Sequence, residues 1–156
     1  MKKLLSLFLL NQLFALDLHG IELLSNWEIL KDETIQISWQ NYQGFPVSKA
    51  ETILNHSIKD VSFAIQDLDH YPEIFDRVTQ TIRLEKDVIQ IVLDMPFPFD
   101  GRDYIVKYSI KNQDNYWVFA YSSVEHPKGR LEQDHVRLPN AGGIWILEKV
   151  NESQTK

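Results

Sequence analysis

The sequence predicts an α+β domain in which a helical pair interrupts an otherwise antiparallel β-sheet. Two observations carry this reading. Apolar residues recur at helical spacing in one central stretch, Ile58, Val61, Ala64, Ile65 and Leu68. Beyond Arg77 the apolar residues instead alternate with a period near two, the signature of strands with one buried face.

The elements follow in order. Leu18 to Leu24 is apolar and fits a short helix. Trp27–Leu30 and Thr34–Trp39 alternate around the polar turn Lys31-Asp32-Glu33 and predict a hairpin. Asn41–Pro46 is a turn, and Val47–Leu54 a third strand. Ser57 predicts a helix N-cap, with Asp60 in the capping-box position. Tyr71-Pro72 is expected to end that helix, since a residue before proline is pushed out of the right-handed region, and Glu73–Arg77 to form one further turn. Six strands are expected afterwards, all antiparallel: around Ile82–Leu84, Ile89–Leu93, Tyr104–Ile110, Tyr116–Ser123, His135–Leu138 and Ile144–Val150. Met95 to Gly101 holds two prolines and reads as a loop. Repeats, low-complexity tracts and linkers are absent from the sequence.

Composition narrows the function. The 156 residues make one domain, 44% hydrophobic and 24% charged, with four Trp, six Tyr and eight Phe. The net charge is −6, and basic residues do not cluster beyond a pair outside the first three positions, so a nucleic-acid footprint is not expected. The same lack argues against electrostatic docking on anionic lipid, leaving at most transient, mainly apolar membrane contact. Without cysteine there are no disulfides, thiol catalysis or thiolate metal sites. Met1-Lys2-Lys3 followed by the apolar run Leu4–Leu10 reads as a signal peptide cleaved after Ala15, although Leu13 stands where a small residue is preferred. A run this short does not span a bilayer, which needs roughly 20 residues. The expected organisation is a signal peptide at 1–15, a domain at 16–150 and a polar tail at 151–156, with a periplasmic or secreted location.

Four segments, in order, resemble START (StAR-related lipid-transfer) domains of the helix-grip superfamily. Asp67-Leu68-Asp69-His70-Tyr71-Pro72-Glu73 is similar to the family's "DLD-x-YPEW" run. Met95-Pro96-Phe97-Pro98-Phe99 followed by Gly101-Arg102-Asp103-Tyr104 is similar to its "P-x-P-x-x-x-RD-F/Y" strand entry. Ser122 to Pro127 resembles "S-V-x-HP", and Val136-Arg137 with Gly142 to Glu148 resembles "VR … GG-x-W-x-L-E-P". The resemblance covers roughly residues 25 to 150. It implies a curved antiparallel sheet gripping a long C-terminal helix around a cavity for a lipid or other apolar small molecule, with no catalysis and no cofactor. That helix is absent from this chain, and Lys149 replaces the usual proline. Large rings on the concave face are therefore expected to meet water or a partner. A cyclase- or hydrolase-like enzyme on the same scaffold, or a truncated fragment without function, are the alternatives.

Tyr104 and Tyr108 share one strand face, Trp117, Phe119 and Tyr121 another; with Trp145 they are the candidate cavity wall, a role that overlaps with ordinary core. Arg102 either presents its charge to a ligand head group or pins its loop through an ion pair with Asp100 or Asp103, the second being the commoner arrangement. Among the five His, none shows the helical zinc spacing. His126 and His135, near Glu125 and Asp134, are expected to be exposed loop residues rather than an acid–base pair.

Overall fold

A computed structural model describes residues 20–156, so the expected signal peptide lies outside the described residues. A short 3-10 turn, Ile21–Leu23, leads into three antiparallel strands: β1 (Glu28–Asp32), β2 (Gln36–Tyr42) and β3 (Phe45–Glu51). Gln43 and Gly44, both at positive φ, close the tight β2–β3 turn, and the Asn41 side chain accepts the Gly44 N–H at 3.0 Å.

Ser57 caps α1 (Ile58–Gln66) as expected, its hydroxyl oxygen accepting the Asp60 N–H at 3.2 Å. The helix ends at Gln66, five residues before the proposed break. A 3-10 turn, Leu68–His70, then hands over to α2 (Tyr71–Ile74). Tyr71 is itself right-handed, φ −54° and ψ −35°, contrary to the expectation from Pro72. Pro72 sits in the first turn of α2, where a missing N–H leaves no bond unmade.

The main sheet is built from β4 (Val78–Glu85), β5 (Val88–Leu93), β6 (Gly101–Gln113), β7 (Tyr116–Ser123), β8 (His135–Arg137), β9 (Gly142–Asn151) and β10 (Gln154–Thr155). Its order is β10-β9-β7-β6-β5-β4, an open sheet. One strand departs from the all-antiparallel expectation: β8 runs parallel to β6, pairing Gly101 with His135 and Asp103 with Arg137. Its direction comes from the long 124–134 connection, which returns the chain to the start of β6 instead of turning back beside β7. Residues 151–156, expected as a polar tail, fold back as a hairpin. Thr155 is buried and exchanges two backbone hydrogen bonds with Leu54, and Lys156 does the same with Glu148.

Period-two patterning sends alternate residues to opposite faces. One face carries Ile89 and Ile91 of β5, Tyr104 and Val106 of β6, Trp117 and Phe119 of β7, and Leu147 of β9. Ile65, Leu68 and Tyr71 pack on it and complete the core. Trp117 and Phe119 are therefore only 3% and 2% exposed. This overturns the expectation that those rings meet water: α1 and the turn after it cover them. Each large apolar side chain so buried contributes roughly 1.5–3 kcal/mol.

The opposite face is sealed by the 124–137 connection, and its centre is polar. Asp103, fully buried, accepts bonds from Arg137 Nε at 2.6 Å and Nη2 at 2.9 Å, and from Gln90 Nε2 at 2.5 Å. Gln90 also donates to the Arg130 carbonyl, and Arg137 Nη1 to that of Gly129. No helix among the described residues is long and apolar enough to cross a membrane.

Candidate functional site

Where α2 gives way to β4, the covering segment stops short of the sheet and leaves a half-open groove of about 270 Å³. Leu68, Tyr71 and Phe75 form its roof; Val78, Ile91, Leu93, Tyr104, Val106, Phe119, Tyr121 and Trp145 form its floor and wall; Arg77 stands at its edge. The volume lies near the small end of ordinary ligand sites, about 300–1,000 Å³. Cross-strand pairing sets the floor: Ile91 lies opposite Tyr104, Phe119 opposite Trp145, and Tyr121 opposite Gly143. Rings continue along the face, with Tyr108 stacked on Phe119 at 5.1 Å and Trp117 on Phe119 at 6.1 Å between centroids.

The polar handles are phenols. Tyr71 donates its O–H to the Ile65 carbonyl at 2.7 Å. Among the described residues, the hydroxyls of Tyr104 and Tyr121 have no hydrogen-bond partner. Burial pushes the Tyr71 phenol up to about 12, with the nearby Tyr121 adding to it. Burial likewise raises Tyr104, helped by Tyr121 and Tyr71, and raises Tyr121 itself. These three phenols stay neutral donors at any ordinary pH.

Of the seven candidate residues, the groove brings together Tyr104, Phe119, Tyr121 and Trp145, the last 41% exposed. Trp117 is instead core beneath α1. Tyr108 donates to the Lys86 carbonyl and accepts from Arg83 Nη1, which turns it to the β4–β5 end. Arg102 forms no ion pair with Asp100 or Asp103; its Nη1 donates to the carbonyls of Asp100 and Gly101. The carboxylate of Asp103 points to the opposite face, where Arg137 takes it.

Sequence reasoning missed the roof, Leu68, Tyr71 and Phe75, and the edge residue Arg77. Leu68 was legible as the last residue of the helical stripe. Phe75 and Arg77, expected within the further turn Glu73–Arg77, lie instead in an irregular link, because α2 ends at Ile74.

His126 Nε2 meets Glu85 Oε1 at 3.1 Å with its side chain only 10% exposed, and His135, which opens β8, meets the Gln133 carbonyl through Nδ1 at 2.7 Å, so neither is the exposed loop residue expected. Among the described residues no group of three or more His, Asp or Glu is placed to hold a metal ion.

Against known proteins, no family model and no curated sequence matches this chain. Solved structures do match. The STAR-related lipid transfer protein of Xanthomonas axonopodis superposes with a TM-score of 0.71 at 18% identity, over 84% of this chain and 78% of that one. Human STARD10 gives 0.73 at 16% identity, over 83% of this chain; the chain spans only 57% of its length. The lipid transfer and protein localization domain of human StarD13 gives 0.72 at 16% identity, over 88% and 74%. At such identities the likeness is one of fold. The chain has a START-like helix-grip fold, with two helices set against a large, open, mainly antiparallel sheet.

Proposed function

We propose that this chain is a lipid-binding or lipid-transfer domain that holds an apolar ligand in the groove, catalyses nothing, and is exported to the bacterial envelope. The observation that carries the reading is the groove lining, which is aliphatic and aromatic apart from Arg77. It presents phenols, and no carboxylate or imidazole for acid–base work. The fold neighbours named for lipid transfer support it. Energetics suit it too: a chain of about 14 methylenes exposed to water costs on the order of 11 kcal/mol, at about 0.8 per methylene, so a soluble carrier needs an apolar enclosure.

Exchange with a bilayer requires brief contact, and the loop after β5 suits that role. Phe97, 96% exposed, and Phe99 flank Pro98 there and present apolar area without basic charge. Export rests on the Met1–Ala15 pattern.

Denaturing extraction of protein purified from its host, followed by mass spectrometry, tests the binding reading. A bound fatty acid, phospholipid or other apolar molecule is expected. Protein that is free of lipid and ignores a panel of fluorescent lipids contradicts it. N-terminal sequencing of the same material should start at Leu16; a chain still beginning at Met1 defeats the export reading.

A further inference from the structure

The floor of the groove is apolar, but one rim is not. In the register of the sheet, Val78 of β4, Leu93 of β5 and Arg102 of β6 stand side by side. Arg77 immediately precedes Val78 and lines the groove, and its carbonyl accepts the Asp94 N–H at 2.9 Å. Arg77 therefore stands at this end of the groove, and Arg102, which is not part of the lining, lies by register next to Leu93 just beyond it. Arg83 and Arg137 each grip a carboxylate. Among the described residues Arg77 and Arg102 grip none, and their sequence neighbours Asp76, Asp94 and Asp100 form ion pairs with neither. Arg102 uses only Nη1, on two backbone carbonyls, and keeps its other donors. Two residues further along the same strand face, the unpartnered Tyr104 hydroxyl follows, with Tyr121 beyond it.

We propose that this rim makes the groove selective for a single-chain amphiphile with an anionic head, a carboxylate or a phosphate. The proposal rests on the reading of the groove as a lipid site and adds the head-group chemistry. The guanidinium fork matches both oxyanions and forms the stronger, charge-assisted class of hydrogen bond with them. The head sits between Arg77 and Arg102, and the chain runs over Tyr104, Phe119 and Trp145. Size favours one chain over two, since a half-open groove of about 270 Å³ lies at the small end of ordinary ligand sites, about 300–1,000 Å³. The chain's overall charge of −6 repels anions at long range, so the preference must come from these local groups.

The test is calorimetric titration of the full chain with dodecanoate, dodecyl phosphate and uncharged dodecanol, each below its aggregation limit. At least one anion should bind about tenfold or more tighter than dodecanol, and the tighter of the two identifies the carboxylate or phosphate source. Arg77→Gln and Arg102→Gln should each reduce that preference and leave dodecanol affinity within about twofold, while Arg77→Lys retains part of it. Arg77 is exposed, so unchanged thermal melting is expected and confirms that the variant is folded. Equal binding of all three probes, or a preference that survives both glutamine substitutions, overturns the head-group proposal and leaves the lipid reading standing. Failure of all three to bind overturns both.

Discussion

Replacing Asp103 by alanine removes a charge that is fully buried in the face opposite the groove. Asp103 accepts three hydrogen bonds, two from Arg137 and one from Gln90. Its loss leaves the Arg137 side chain, 30% exposed, with only the Gly129 carbonyl, and leaves Gln90 with only the Arg130 carbonyl. Breaking a buried pair from one side costs about 3–5 kcal/mol, because the remaining charge is uncompensated. At about 2–4 °C per kcal/mol for a chain of this size, the melting temperature should fall by roughly 6–20 °C. Asp69→Ala is the internal control. The Asp69–Arg83 pair, 2.9 Å against 2.6 Å, is also within hydrogen-bond distance but exposed, and such pairs contribute about 0–1 kcal/mol. Urea and thermal unfolding of both variants decide the matter. An Asp103→Ala loss no larger than the Asp69→Ala loss refutes the argument that this network pins the 124–137 connection to the sheet.

Three further outcomes follow from the groove. Below about pH 10 both folded and unfolded chains keep their tyrosine protons; above it the unfolded chain ionises first, so stability falls as pH rises towards about 12, where Tyr71 ionises in the fold. Absorbance titration should show three of the six tyrosines ionising late, and six ordinary titrations would contradict the buried-phenol geometry. A methyl group at Gly143 falls on the Tyr121 phenol, so Gly143→Ala should displace that ring, change ligand affinity several-fold and shift stability by less than about 1 kcal/mol; unaltered affinity by titration removes Tyr121 from the binding wall. Replacing both Phe97 and Phe99 by serine should slow transfer of a fluorescent lipid from neutral phosphatidylcholine vesicles without altering equilibrium binding, and an unchanged rate excludes the loop from membrane contact.

Local chemistry was legible where a short stretch determines the outcome. Ser57 and Asp60 marked the start of α1, and the alternation in Tyr116–Ser123 marked β7 at both ends. The strand-face argument placed Tyr104, Phe119 and Tyr121 together because period two is geometric and needs no knowledge of neighbours. Features that depend on distant partners were not legible. Asp103 is 34 residues from Arg137, so proximity along the chain points to Arg102 instead, which grips neither Asp100 nor Asp103. Trp117 and Phe119 look alike along the chain and both are core; only the placement of the segment after α1 leaves Phe119 on the groove floor as well. The groove exists because the helical segment ends at Gln66 and hands over to a short α2, and that ending depends on backbone angles at Asp67 and Tyr71 that no residue pattern specifies.

Photo-crosslinking places the ligand directly. A single-chain lipid carrying a photoreactive group at the end of its chain, bound to the full protein and irradiated, should label peptides of β6, β7 and β9, centred on Tyr104, Phe119, Tyr121 and Trp145. Labelling confined to the exposed Phe97–Phe99 loop or the outer surface of β1–β3, with the groove peptides clean, would contradict the claim that this groove is where the protein holds its ligand.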